Sequence, residues 1–313
     1  MEEIYFNFFG QLDNVESFDL LRKDSLPADF FLPRYQFAHK GDFGHALIIA
    51  GSYGKAGACI LSARACMKTG CGLLTVHVPG KIYSIVQSSF PEAMAEVDDD
   101  ENYFSSNINN LDRYSCVAIG PGIGTESATK KALVNLLKAN ASLKEPRPMV
   151  LDADALNILA GIPGFEKLLS PNSILTPHPK EFERMFGVFE NYSAKVKFMQ
   201  KFSARTGVVV VLKGGVTAIS TPSGELFFNI KGNPGMATAG AGDVLTGIIC
   251  GVMAQKCNMD WYGKTGYAEA AKMGVFIHAN AGDFARDSVG QSSLIASDIV
   301  DNIHKAIEKM AAC

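Results

Sequence analysis

The chain has 313 residues, 47% hydrophobic and 19% charged, with a net charge of −3 and seven cysteines. That length supports one large α/β domain or two small ones, and the composition excludes a disordered chain. The charge balance offers no footprint for nucleic acid or anionic lipid, no apolar run approaches the ~18 residues of a membrane span, and the acidic start MEEIYFNFFG excludes a signal peptide.

Cys59, Cys66, Cys71, Cys116, Cys250, Cys257 and Cys313 lie in apolar segments without a CxxC pair. This is the usage of buried, reduced thiols in a cytoplasmic protein.

Residues 1–35 lack a strand–helix rhythm and read as an arm or linker, and residues 36–313 form the domain. ALIIA (46–50) opens a regular series: the loop GSYGKAG, a helix over 58–69, LLTVHV (73–78) and a second helix. A polar stretch containing DDDE (98–101), read as a solvated loop, leads to CVAIG (116–120), GPGIG and a helix. MVLDA (149–153), SILTP (173–177) and VVVVLK (208–213) follow, again separated by helices. Short unbroken apolar runs bounded by Gly or Pro indicate parallel strands buried on both faces, so the chain builds one doubly wound sheet. VTAIST–PSG–ELFFNI then reads as an antiparallel hairpin at one sheet edge, and helices over 241–255, 262–286 and 296–311 complete the chain.

Ligands of open parallel sheets bind at the carboxyl ends of the strands, and every loop there is Gly-rich or polar. GSYGKAG lacks the Gly-Lys-Ser/Thr of a phosphate-binding P-loop and suits a glycine-lined wall against a flat ligand. GPGIG lacks the spacing of a dinucleotide fingerprint and suits close backbone approach to a ligand. In LDADALN, Asp154 reads as a helix N-cap, while Asp152 or Asn157 touches substrate or a metal-bound water. His178 lies between two prolines in TPHPKEFE, on a stiff loop at the active edge, and reads as a substrate contact. In KGGVT, two glycines admit a ligand to the backbone and Thr217 can hydrogen-bond it. No histidine-rich metal site is expected, and no residue is assigned as a metal ligand.

The strongest signal is GNPGMATAGAGDVLTG (232–247), where GAGD enters an apolar helix. Bare N–H groups and the positive helix end make an anion hole there, so Asp243 stands beside a phosphate site. A carboxylate there adds nothing to anion affinity. It reads as the base for a hydroxyl that attacks the phosphoryl group.

HKGDFGHALIIAGSYGKAGA, GPGIG, LDADALN, LTPHPKEFERM, VVVLKGGVT and NPGMATAGAGDVLTG, in that order, resemble the NAD(P)H-hydrate dehydratase family of the ribokinase-like superfamily, over residues 36–310. The resemblance implies a three-layer α/β/α fold with a mostly parallel sheet. It also implies dehydration of (S)-NAD(P)H hydrate by phosphorylation of the ring hydroxyl from ADP or ATP and loss of phosphate, a metabolite repair. Ala58, Gly122 and His178 would face the substrate, with Asp243 as base. Lys213, Gly214, Gly215, Val216 and Thr217, with Gly240, Ala241 and Gly242, would hold the nucleotide, and Mg²⁺ would bridge its phosphates. Members commonly carry Thr or Ser where this chain has Ala241, which removes a hydroxyl and leaves the backbone hole intact.

The first 35 residues resemble the linker that in many members follows a fused epimerase domain. The expectation is a chain that dehydrates one epimer only. Its expected partners are small molecules and further copies of itself, a homo-oligomer with a tetramer among the options. The rival readings are a small-molecule kinase with a stable phosphorylated product and a silent nucleotide sensor. TPHPKEFE and GPGIG weigh against the first, and an intact Asp243 against the second.

Overall fold

The structure, a computed structural model, describes residues 12, 15, 17–27, 34–171, 173–256 and 266–311. Its centre is a ten-stranded sheet. The strands are β1 (Asp19–Leu20), β2 (His45–Ile49), β3 (Leu73–Val78), β4 (Met94–Val97), β5 (Cys116–Ile119), β6 (Met149–Leu151), β7 (Ile174–Leu175), β8 (Val209–Leu212), β9 (Thr217–Ser220) and β10 (Leu226–Asn229). Their order is β1-β10-β9-β8-β7-β6-β5-β2-β3-β4, and only β8–β9 and β9–β10 pair antiparallel. The hairpin therefore does not close the sheet. The arm supplies β1, which pairs in parallel with β10, Asp19 opposite Phe227. Leu21 and Leu26 of the same arm are buried in the core.

The unbroken apolar strands divide their side chains between two cores. Ala46 and Ile48 of β2 join one core, and Leu47 and Ile49 join the other. The first is covered by α1 (Ala56–Lys68), α7 (Ala241–Lys256), α8 (Gly266–Val289), α9 (Ala296–Asp301) and α10 (Ile303–Ala311). Against the second lie α3 (Ser127–Ala141), α4 (Ala153–Ala160), α5 (Pro179–Phe186) and α6 (Tyr192–Thr206). Helix α2 (Gly80–Ser89) follows β3 and sends Ile82 and Val86 into the first core. α7 and α8 are buried around most of their surface and the outer helices bury one face, which gives three layers.

α1 and α7 pack closely because of two glycines. A Cβ on Gly247 would lie 2.2 Å from the Ser62 carbonyl oxygen, and one on Gly251 would lie 2.5 Å from that of Cys66. Four-residue spacing puts both glycines on one helix face, so α1 runs directly over the α7 backbone.

Two expectations are corrected. The C-terminal helical region is two helices, α9 and α10, separated at Asn302. DDDE is not a solvated loop throughout, since Asp98 is buried with its side chain in a hydrogen-bonded cluster. β4 was absent from the apolar pattern because it is an edge strand with Met94 and Val97 exposed. Residues 262–265 of the expected helix over 262–286, and Cys257 and Cys313, lie outside the described residues. The other five cysteines are buried.

Candidate active site

The carboxyl ends of the parallel strands bring the Gly-rich loops together. Gly51 N–H donates to the Pro121 carbonyl (2.8 Å), and the Ser52 hydroxyl donates to that of Gly122 (2.7 Å). GSYGKAG and GPGIG are thus one surface. Gly122, at φ +64°, has no side chain, and a Cβ there would lie 3.1 Å from that of Ala58. Ala58 and Gly122 are thus neighbours on this surface, next to Lys55, and the Tyr53 ring of the same loop is exposed.

LDADALN turns sharply after β6. Ala153 has φ +48°, an unusual strain for a non-glycine residue. Gly120 at φ +133° passes so close that a Cβ would lie 1.8 Å from the Asp152 carbonyl oxygen. Asp152, not Asp154, occupies the cap position of α4, and its side chain makes no capping bond. Asp154 instead accepts from Gly124 N–H (2.9 Å) and pairs with Lys55 (3.4 Å). Asn157 donates to Asp154 (3.4 Å) and accepts from Arg184, so its amide bridges α4 to α5.

Asp152 is not open to a substrate, which corrects that reading. It is 1% exposed, and both carboxylate oxygens are engaged. Oδ1 accepts from Lys213 Nζ at 2.6 Å, and Oδ2 accepts from the Thr246 hydroxyl at 2.6 Å. Lys213 follows β8 and also faces Glu181 Oε2 at 4.0 Å.

His178 caps α5. Its Nδ1 accepts from the N–H groups of Lys180 (3.1 Å) and Glu181 (3.3 Å), while Glu181 Oε2 accepts from His178 N–H (2.8 Å). This reciprocal capping box, with Pro179 in the first turn, is why TPHPKE turns at once into a helix. The ring stays half-exposed at the edge. Burial raises the Glu181 carboxyl above the ordinary glutamate range, against the pull of Lys213.

Helix α7 opens at Gly240, whose φ of +87° and carbonyl bond to Val244 N–H (3.0 Å) start the turn. A Cβ on Gly240 would lie 2.5 Å from Leu61 Cδ1. Among the described residues, no backbone or side-chain acceptor takes the N–H of Gly242 or Asp243, which leaves two donors for an anion. A Cβ on Gly242 would lie 3.4 Å from Lys213 Nζ, so the ammonium borders the same opening. Behind it, partly buried His278 donates Nε2–H to the Ala241 carbonyl (2.9 Å), and withdrawal from water lowers its pKa to about 4, which keeps it neutral. The KGGVT loop holds its own shape through Thr217, whose hydroxyl reaches the Gly214 carbonyl at 3.5 Å.

Among the described residues none donates a hydrogen bond to the Asp243 carboxylate. Burial first, then the nearby Asp152 and Asp154, push its pKa up to about 7 against the opposing Lys213. Glu181 and Thr246 were not singled out in the sequence, although both carried a signal. Glu181 stands three residues after His178 in a capping-box pattern, and Thr246 lies one helical turn after Asp243.

A family model described as NAD(P)H-hydrate dehydratase matches residues 46–305. The chain is 36% identical over 289 residues to a bifunctional NAD(P)H-hydrate repair enzyme of Vibrio cholerae, covering 92% of this chain and 53% of the relative. The first such relatives are bifunctional, and the chain spans about half their length. It is 34% identical to an ADP-dependent (S)-NAD(P)H-hydrate dehydratase of Neisseria meningitidis, with 86% of each chain covered. The crystal structure of an ADP/ATP-dependent NAD(P)H-hydrate dehydratase of Bacillus subtilis, co-crystallised with ATP and Mg²⁺, superposes with a TM-score of 0.76 at 27% identity, covering 95% of this chain and all of the other. The fold is ribokinase-like. No described helix is long and apolar enough to cross a membrane.

Proposed function

We propose that this chain, which belongs to the NAD(P)H-hydrate dehydratase family, restores (S)-NAD(P)H hydrate to NAD(P)H at the expense of ADP or ATP. The observation that carries the reading is Asp243. This carboxylate has no hydrogen-bond donor among the described residues, is poised near neutrality, and sits where two free N–H groups and Lys213 converge.

In the proposed reaction Asp243 takes the proton of the ring hydroxyl as its oxygen attacks the terminal phosphorus of the nucleotide. The phosphoryl–nucleotide bond breaks, and AMP or ADP leaves. The ring C–O bond then breaks, phosphate departs with the electron pair, and loss of a proton from the adjacent carbon restores the double bond. The N–H groups of Gly242 and Asp243, with Lys213, receive the phosphoryl oxygens. Gly214, Gly215, Val216 and Thr217, with Gly240 and Ala241, border the nucleotide. The Ala58–Gly122 surface and His178 receive the hydrated ring.

Among the described residues no group of three or more His, Cys, Asp or Glu side chains fits a metal ion. A Mg²⁺ carried by nucleotide phosphates needs few protein ligands. Such an ion neutralises phosphate charge when bound. The exposed Tyr35 and Phe37 rings support the homo-oligomer, and the five buried cysteines support a cytoplasmic setting.

The decisive experiment supplies NADH hydrate, Mg²⁺ and either nucleotide, and follows reduced-nicotinamide absorbance. Recovery with one nucleotide is expected. Asp243→Asn should keep nucleotide binding and lose turnover by about 10²-fold or more. Accumulation of a stable phosphorylated product would transfer the chain to the small-molecule kinases.

A further inference from the structure

Asp152 is a buried acid placed beside a second acid, Asp243, within a site built to receive phosphate. Structural acids in cores are bound by fixed donors, whereas Asp152 draws its two donors from two elements of the proposed machinery. Lys213 belongs to the end of β8, and Thr246 belongs to α7, three residues after Asp243. That spacing puts Thr246 and Asp243 on one face of the helix. The carboxylate therefore clamps the helix carrying the base to the strand carrying the ammonium. Ser62 of α1 braces the opposite side, its hydroxyl lying 2.9 Å from the Ala58 carbonyl and 3.0 Å from that of Asp243.

We propose that Asp152 is a positioning residue for phosphoryl transfer, acting through its bridge from Lys213 to Thr246. The proposal rests on Asp243 being the base. Lys213 also lies 4.0 Å from Glu181, and its 2.6 Å bond to Asp152 Oδ1, an acceptor that an asparagine oxygen would still supply, fixes the ammonium at the opening by Gly242. Without the bridge, the first turn of α7 would lose the tether that fixes Asp243 relative to that ammonium.

The charge around Asp243 adds a signature that plain packing lacks. Asp152 and Asp154 face it from the start of α4, and Lys213 faces it from β8. Glu181 of α5 lies behind Lys213, and neutral His278 of α8 lies beneath Ala241. The Asp152 charge opposes ionisation of the base, so neutralising it without changing its shape releases the Asp243 proton at lower pH.

The test uses Thr246→Val, Thr246→Ser and Asp152→Asn in the whole chain. Thr246→Val keeps the side-chain volume and removes the hydroxyl. It should lower kcat by about ten- to a hundredfold with nucleotide KM within a few-fold, and Thr246→Ser should restore it. Asp152→Asn should move the acid limb of kcat/KM, and the ¹³C-carboxyl titration of Asp243 in the free protein, down by about one pH unit. Wild-type kcat in Thr246→Val, or an unmoved Asp243 titration in folded Asp152→Asn, overturns the proposal. If Asp152→Asn does not fold, the Thr246 pair decides. A fully active Asp243→Asn would instead overturn the base, and that failure is read independently of the other two variants.

Discussion

Two aspartates at the same edge of the sheet, Asp98 after β4 and Asp243 at the start of α7, have opposite chemistry. Both are largely withdrawn from water. Burial alone would raise the Asp98 carboxyl, but its hydrogen bonds, that of His77 first, reverse the effect and hold it well below the usual carboxylate range. His77 Nε2 (2.8 Å) and the N–H groups of Ser105 (3.0 Å) and Ser106 (3.1 Å) donate to Oδ2. Asp100 N–H (3.0 Å) and the Ser105 hydroxyl (2.7 Å) donate to Oδ1. For Asp243 burial is opposed only by the charge of Lys213, with no hydrogen-bond donor among the described residues, and two neighbouring carboxylates add to it. The difference teaches that burial does not decide what an acid does; the donors around it do. A saturated carboxylate anchors a loop, and an unsaturated one can exchange a proton.

The sharpest way to break this comparison is Asp98→Asn. The amide presents an NH₂ group to donors that need an acceptor, so unfolding free energy at pH 7 should fall by about 2–4 kcal/mol. Because its folded-state affinity for protons is depressed, Asp98 stabilises the fold above the ordinary carboxylate range. That contribution is lost as pH falls below the range, so wild type and variant should converge in acid. Urea unfolding across pH measures this. Equal stability at pH 7 would remove Asp98 from its anchoring role.

Asp243→Asn should act in the other direction. A carboxyl whose folded pKa is raised favours the fold when protonated, and that contribution disappears as pH rises from the ordinary carboxylate range through about 7. The neutral amide escapes the loss. The variant should therefore be more stable than wild type by about 1–2 kcal/mol at pH 8 and equal to it near pH 3. A destabilised Asp243→Asn at pH 8 would mean that the carboxylate is held by donors, like Asp98.

Much of this arrangement is legible in the sequence because it leaves local marks. LLTVHV coincides with β3, and the runs around β2, β5 and β8 are continuous because strands buried on both faces have no polar alternation. Asp243 stands out as a lone charge among small residues. What escaped notice depends on long-range pairing. Lys213 and Asp152 are 61 positions apart, and Thr246 and Asp152 are 94 apart. A buried hydroxyl in an apolar helix looks the same whether or not a carboxylate lies opposite. Two-residue β1 and partly exposed β4 were invisible for the converse reason, since edge pairing needs no apolar run.

The smallest expected effect on the fold tests whether the space beside Asp243 is reserved for a ligand. Gly120 and Gly242 both approach Asp152, for different reasons. At Gly120, a Cβ would lie 1.8 Å from the Asp152 carbonyl oxygen, so alanine there disrupts the β5–β6 crossing itself. At Gly242 the nearest atoms would be Lys213 Nζ at 3.4 Å and Asp152 Oδ2 at 3.9 Å, ordinary contact distances, and alanine favours a helix over glycine. Gly242→Ala should thus leave unfolding free energy within about 1 kcal/mol of wild type, or raise it. The added methyl would nonetheless occupy the mouth of the anion hole, and KM for the nucleotide should rise about tenfold while the Asp243 titration stays in place. An unchanged KM would show that the phosphoryl group does not enter between Gly242 and Lys213, and the donors that receive it would then have to lie elsewhere along the Gly-rich edge.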